Sequence, residues 1–173
     1  MRFITKLLYI VRRPEFIIPC IILILVLFYI SRSDFNRDVN LVKGLEVWQP
    51  VNAVDFDESW FDESCKVVVY MKHYQKFHRL DLWMNYIEKY PGIPFLFYYA
   101  GDDPVKYFKQ LDEIGFKHPI MIDSEGQFYE MNKSNMDDFS FISFVINDNS
   151  VTLSNPTIPN FDKLLKECSQ SIR

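Results

Sequence analysis

The side chains best suited to covalent chemistry in this sequence are its three cysteines, Cys20, Cys65 and Cys168. A thiol becomes a nucleophile or redox group when a helix N-terminus or a nearby cation lowers its pKa, and a Cys-x-x-Cys pair exchanges disulfides. No two of the three cysteines have that spacing. Cys65 and Cys168 are far apart in the chain, so a disulfide framework is not indicated, and we interpret both as small packing residues rather than reactive thiols.

Little in the sequence supports metal binding or another kind of catalytic chemistry. His73 and His78 are conceivable metal ligands, but five residues apart they do not share a helix face, and no third ligand with metal spacing is near. Lys66 follows Cys65 directly, but neighbouring side chains in a strand point to opposite faces, so Lys66 is not placed to activate the thiol. The sequence has no Gly-rich phosphate loop and no G-x-S-x-G turn. It therefore predicts no catalytic residue, no metal and no cofactor.

Composition narrows the class of protein. The sequence has 19 Lys and Arg against 23 Asp and Glu, which gives a net charge of −4. A chain of this mild acidity is a poor partner for nucleic acid, so none is predicted. Aromatic residues are abundant, with 16 Phe, 10 Tyr and 3 Trp. These side chains are sufficient for one soluble domain with a substantial core.

A long apolar run lies near the start of the sequence. Residues Phe16–Ile30 include no charged side chain. The run alone is short for a hydrocarbon layer of roughly 30 Å, but Arg13 and Arg32 bracket it, and such side chains reach the headgroups. The sequence therefore predicts a transmembrane signal anchor over 14–32. A cleaved signal peptide is the alternative, because Ser31–Ser33 has the small-residue spacing that a signal peptidase uses.

Charge around this run predicts its orientation and the division of the chain. Four basic residues precede Glu15 with no acid among them, whereas basic residues after the run are mixed with acids. The positive-inside rule then predicts a cytoplasmic basic head over 1–13 and the rest of the chain outside. Residues 33–64 are predicted as an extracytoplasmic linker or lid, and residues 65–173 as the folded domain. We expect a single-pass protein of a bacterial inner membrane, with this domain in the periplasm.

An acidic stretch threaded with aromatic rings precedes the first predicted core strand. It extends over Asp55–Glu63 and includes Phe56, Trp60 and Phe61. In one interpretation the rings pack on the domain while the acids face water. In the other, the stretch is a strip on which a partner docks.

Strands and helices then alternate along the chain. Runs of β-branched and aromatic residues predict buried strands, and apolar residues at helical spacing predict the helices between them. A weaker alternation predicts a short edge strand over Leu45–Trp48, ended by Pro50. This order indicates an α/β domain, a mixed sheet with helices on both faces and its first strands parallel. The main predicted strands are Lys66–Tyr70, Ile93–Tyr99, Pro119–Asp123, Phe139–Ile146 and Val151–Leu153, and the helices lie around Phe77–Ile87, Pro104–Gly115 and Phe161–Cys168.

The order β-α-β-α-β-β-α resembles a thioredoxin-like fold, and in detail the membrane-anchored TlpA-like and peroxiredoxin-like proteins of bacterial envelopes. Such proteins commonly show an aliphatic strand, a helix with a tryptophan, and a P-x-x-x-D-x-x-G-like segment, here Pro119, Asp123 and Gly126. The resemblance covers roughly residues 66–172. It is carried by KVVVY, Leu80-x-x-Trp83, YPGIPFLFYYAGDD, EIGFKHPIMIDSEGQFYEMN and FISFVINDNSV.

The departure from this family concerns the redox site. Redox-active members have Cys-x-x-Cys in the loop after the first strand, and a cis-proline faces it. Here the two thiol positions fall near His73 and Lys76, and no proline stands near Phe141. The resemblance therefore implies a degenerate active-site loop at His73, Tyr74, Gln75 and Lys76, which cannot exchange disulfides.

These observations together predict a redox-inactive, membrane-anchored, thioredoxin-like domain that binds an envelope protein or peptide. Candidate binding residues are Tyr74, Phe77 and His78 in the degenerate loop, and Trp60 and Phe61 in the acidic stretch. The alternative is a thiol oxidoreductase or peroxiredoxin-like enzyme that uses Cys65 or Cys168.

Overall fold

A computed structural model of the chain describes residues 38–72, 80–134, 136, 141–148, 150–154, 157 and 159–172. These residues fall within one compact unit, Arg37–Arg173. The predicted basic head, the predicted anchor and the degenerate loop at 73–79 lie outside the described residues. No helix among the described residues has both the length and the apolar character needed to cross a membrane.

The described strands are Glu46–Trp48 (β1), Cys65–Met71 (β2), Phe95–Tyr99 (β3), Ile120–Ile122 (β4), Phe141–Asn147 (β5) and Ser150–Ser154 (β6). They form one mixed sheet with the spatial order β1-β4-β3-β2-β5-β6. β2 pairs with β3 and β3 with β4 in parallel, and the remaining pairs are antiparallel. The predicted mixed sheet is therefore confirmed.

Helices cover both faces of this sheet. The described α-helices are Leu80–Lys89 (α1), Pro104–Glu113 (α2), Gln127–Asn132 (α3) and Phe161–Ser171 (α4). α1, α2 and α4 contribute to the apolar cluster on one face, and α3 contributes to the cluster on the other. Two strand–helix–strand units, followed by an antiparallel hairpin and a closing helix, give the thioredoxin-like arrangement that the sequence predicts.

Strand β2 lies at the centre of the domain. Every one of its residues is buried, because helices and loops cover both faces of the sheet. Its side chains alternate: Cys65, Val67 and Val69 join the cluster of α1, α2 and α4, while Val68 and Tyr70 join the opposite cluster. This alternation fixes which partners Cys65 can reach.

The sequence did not predict helix α3. It has only six residues, too few to show a helical period. It begins because the fully buried carboxylate of Asp123 accepts hydrogen bonds from the backbone N–H groups of Gln127 at 2.8 Å and Phe128 at 2.9 Å. The N-cap residue of α3 is Gly126, and Asp123, three residues before it, satisfies the first two N–H groups of the helix.

The segment predicted as a linker or lid contributes to the body of the domain. β1 is the edge strand predicted before Pro50, and it pairs with β4. The buried amide of Asn132 accepts the N–H of Asn40 at 2.7 Å and donates to its carbonyl at 2.9 Å. The hydroxyl of Tyr98 donates to the carbonyl of Val42 at 3.0 Å. These bonds fasten the segment to the α3 face of the sheet.

Candidate functional site

Cys65 and Cys168 form a disulfide bond. Cys65 is the first residue of β2 and Cys168 lies in α4, where it shares a buried face with Phe161 and Leu165. Their Cα atoms are 5.4 Å apart, and both side chains are fully buried. The expectation that no disulfide is indicated is therefore wrong, whereas the burial of both residues agrees with their interpretation as packing residues. The two cysteines are 103 residues apart in the chain, so their spacing does not indicate that α4 packs beside the beginning of β2.

The burial of this bond is typical of a structural disulfide. A sulfur in a cystine is not a nucleophile, and a redox-active cysteine is ordinarily partly exposed. The sulfur of Cys168 is also held within 3.5 Å of the carbonyl of Ile146, inside the core. Closing so long a loop restricts the unfolded chain, which in the chain-entropy account stabilises the folded state by about 4–5 kcal/mol.

Lys66 lies on the opposite face of β2 from Cys65, as predicted. Its ammonium group is buried and donates to the carbonyl of Phe61 at 2.6 Å. Burial lowers the pKa of Lys66, while the nearby acids Asp62 and Glu63 oppose this shift. Lys66 therefore ties the acidic stretch to the sheet and does not contact the cystine.

The acidic stretch packs as the first of its two interpretations expects. Phe61 is buried in the core, Phe56 and Trp60 are half-buried, and the acidic side chains are exposed. Asp57 begins a 3-10 turn over Glu58–Phe61 by accepting the N–H of Ser59 at 2.8 Å, which lowers the pKa of Asp57. Of the two candidate binding residues here, Trp60 alone keeps an accessible surface.

Trp60 stacks on a histidine that the sequence did not single out. The rings of Trp60 and His118 are nearly parallel, with centroids 5.4 Å apart. His118 is buried, and its Nε2 lies 2.7 Å from the carbonyl of Phe95. Because a carbonyl can only accept, Nε2 carries the hydrogen. Burial lowers the pKa of His118 to about 4, so the ring is neutral at pH 7 and Nδ1 is an acceptor.

The Nδ1 atom of His118 has no hydrogen-bond partner in the described part of the chain. Unpaired buried acceptors are uncommon in folded proteins and suggest a missing partner. One signal was available in the sequence, since His118 stands between a glycine-ended helix and a predicted core strand. Its stacking partner, however, comes from a segment almost sixty residues earlier in the chain.

His118 and Trp60 both line a cleft of about 700 Å³, which we call the Trp60 cleft. It lies where β3 begins, at Ile93 and Pro94, and so at the opposite end of the sheet from Met71, the last residue of β2. Its apolar wall includes Met84 and Ile87 of α1, and its charged lining residues are Asp57, Glu63, Glu88 and Lys117. The volume is within the range of ligand sites in proteins.

Several exposed apolar side chains surround this cleft. Val54 and Ile172 line it and are 59% and 38% exposed, and Val51 and Ile114, at 82% and 52%, are close in sequence to lining residues. Exposed apolar surface beside a pocket is typical of a contact site for another molecule. The Trp60 cleft is the candidate functional site in the part of the chain that the structure describes.

The other predicted site residues are not placed. His73, Tyr74, Gln75 and Lys76 of the degenerate loop, and Phe77 and His78 beside them, lie outside the described residues. Their role as a binding surface stays a prediction. Within the described residues no group of three or more His, Cys, Asp or Glu side chains is arranged to hold a metal ion.

Comparison with known proteins finds similar solved structures at low sequence identity. A putative thioredoxin from Neisseria meningitidis is 11% identical, with 74% of this chain and 87% of that chain covered and a TM-score of 0.48. BsSco, a member of the Sco family of cytochrome c oxidase assembly proteins in which a disulfide switch was identified, is 8% identical, with 63% and 80% covered and a TM-score of 0.39. No protein-family model matches the sequence, and no curated protein is significantly similar. The thioredoxin-like classification therefore depends on the strand order and directions described above.

Proposed function

We propose that this chain is a membrane-anchored, extracytoplasmic, thioredoxin-like module that binds a protein or peptide and does not exchange disulfides. The observation that carries the proposal is the buried Cys65–Cys168 bond. The sequence has three cysteines, and Cys20 belongs to the predicted anchor. Both cysteines of the folded unit are thus engaged in a structural link.

The same bond supports the predicted compartment. Disulfides form and persist in oxidising environments such as the bacterial periplasm, and they are rare in the cytosol. A basic head followed by an anchor over 14–32 would place the compact unit on that side of a bacterial inner membrane. A cleaved signal peptide would deliver the unit to the same compartment, so the disulfide is compatible with either processing.

The loop after β2 supports the absence of redox activity. In redox-active thioredoxin-like proteins this loop holds the reactive thiols, and here the sequence from Met71 to His78 includes no cysteine. A binding role then depends on surfaces rather than on a nucleophile. Two candidate surfaces follow: the Trp60 cleft, and the degenerate loop with Tyr74 and Phe77, which is predicted from the sequence and lies outside the described residues.

The competing function is a thiol oxidoreductase that cycles between the cystine and two thiols at Cys65 and Cys168. Such an enzyme must present at least one sulfur to a substrate disulfide. Both side chains are 0% exposed, so access would require α4 to separate from β2. The burial of the bond favours the binding module.

We expect the full chain to be inactive in both assays typical of the competing function. With dithiothreitol as reductant, its rates of insulin disulfide reduction and of peroxide consumption should equal those of the reaction without protein. An active thioredoxin serves as the positive control. A rate above the blank that disappears in a Cys65→Ser, Cys168→Ser variant would overturn the proposed function.

A further inference from the structure

We propose that the Trp60 cleft is the recognition site of this module and that it takes an arginine side chain from an extended segment of a partner protein. This inference rests on the proposed function as a binding module and names the site and the chemistry of its partner. It draws on three features that occur together at one end of the sheet: an unpaired acceptor, an acidic lining and an apolar rim.

The unpaired acceptor indicates a ligand that donates hydrogen bonds. His118 is 4% exposed, it lines the cleft, and its Nδ1 has no partner among the described residues. The bond from Nε2 to the carbonyl of Phe95 fixes the tautomer, so Nδ1 can only accept. Trp60 covers the ring by stacking on it, and Nδ1 is itself buried. A donor from a bound molecule would therefore satisfy this nitrogen when the half-buried Trp60 ring moves aside.

The charges indicate that the donor is cationic. Three acids and one base line the cleft, and neither Glu63 nor Glu88 forms an ion pair with another described residue. Asp57 is already engaged with the N–H of Ser59, and Glu63 is near the buried charge of Lys66. Glu88 is therefore the least compensated carboxylate. A guanidinium group carries five N–H donors, enough to bind carboxylates and a neutral imidazole at once.

The apolar rim indicates a polypeptide rather than a free small cation. Val51, Val54, Ile114 and Ile172 are exposed around or beside the cleft, and Met84 and Ile87 form its apolar wall. This apolar surface is larger than a single side chain in the cleft would cover. Apolar neighbours of an arginine in an extended segment would cover it, with the arginine as the central anchor.

The test uses the full chain in mild detergent and three peptides with a neutral fluorophore. The probe is acetyl-Ala-Leu-Arg-Leu-Ala-amide, and matched peptides have citrulline or glutamate in place of arginine. Citrulline keeps the shape of arginine but has no charge, and its ureido group has three N–H donors and a carbonyl oxygen in place of the five donors of the guanidinium. We expect fluorescence anisotropy to show the arginine peptide binding at least about fivefold more tightly than the citrulline peptide, the equivalent of one exposed ion pair of ~1 kcal/mol.

Variants of the chain locate the site. Glu88→Gln should weaken binding of the arginine peptide about fivefold and leave the citrulline peptide unchanged, while Lys117→Gln should strengthen arginine binding. His118→Phe removes the acceptor and should weaken both peptides. Glu46→Gln, an exposed acid on β1 away from the cleft, is the matched control and should change neither.

Equal binding of the arginine and citrulline peptides, or no effect of Glu88→Gln, would overturn the inference. Free arginine amide binding as tightly as the peptide would do the same, since it assigns the cleft to a small cation. Failure of the proposed function would give a different result from failure of this inference. It would appear as thiol-dependent activity in the insulin and peroxide assays.

Discussion

Removing the Cys65–Cys168 bond is expected to lower the free energy of unfolding by about 4 kcal/mol. The bond joins residues 103 apart, so its loss frees a long loop in the unfolded chain. A Cys65→Ala, Cys168→Ala variant of the compact unit 37–173 should therefore unfold at a markedly lower urea concentration than the oxidised parent. Equilibrium urea unfolding followed by circular dichroism gives both midpoints.

Two controls isolate the bond from the loss of the sulfur atoms. Dithiothreitol should shift the parent toward the double variant and leave the variant unchanged. Ser169→Ala, at the next position in α4, should have little effect, because the Ser169 side chain donates only to a carbonyl in its own helix. A difference below about 1 kcal/mol between parent and double variant would contradict a structural role for the bond.

Acid should destabilise the compact unit through His118 before most carboxylates are protonated. Burial lowers the pKa of His118 from 6.5 to about 4, so between these values the unfolded chain binds a proton that the folded chain does not. The contribution of this group is fully present above pH 6.5 and is lost as the pH falls toward 4. A shift from 6.5 to about 4 corresponds to about 3 kcal/mol.

The measurement is the free energy of unfolding of the compact unit at pH 7 and pH 4.5, compared with that of His118→Gln. Glutamine can still donate to the carbonyl of Phe95 but does not titrate, so the variant should lose less stability on acidification. The charged residues that line the cleft, Asp57, Glu63, Glu88 and Lys117, are the same in both proteins, so the comparison isolates the contribution of position 118. Equal pH dependence in the two proteins would show that His118 is not held neutral.

The sequence predicts the sheet well because its central strands are unambiguous. β2 and β3 are runs of β-branched and aromatic residues that suit a strand buried on both faces, and both are found within two residues of their predicted bounds. Helix α2 begins at Pro104 with Asp103 as its capping residue, and Gly115, at φ +70°, follows its end. Such signals are local, so they can be recognised without the fold.

The features that the sequence did not predict depend on contacts between distant segments. The cystine joins the first central strand to the last helix, and nothing in the spacing of Cys65 and Cys168 reveals their proximity. The Trp60 cleft is assembled from the acidic stretch, α1 and the chain around His118. The sequence predicts Trp60 as a binding residue. It does not indicate His118, because the place of that side chain in the cleft depends on stacking against Trp60, which is remote in the sequence.

The central claim is that Cys65 and Cys168 form a permanent structural link in an exported module. The most direct measurement is acid quenching of intact cells that produce the full chain, followed by alkylation with a maleimide–polyethylene glycol reagent and non-reducing gel electrophoresis. The account predicts that essentially every molecule is protected at both positions, with no mixed disulfide to another protein. A substantial population with both thiols modified, or a mixed disulfide that disappears in Cys65→Ser or Cys168→Ser, would contradict it.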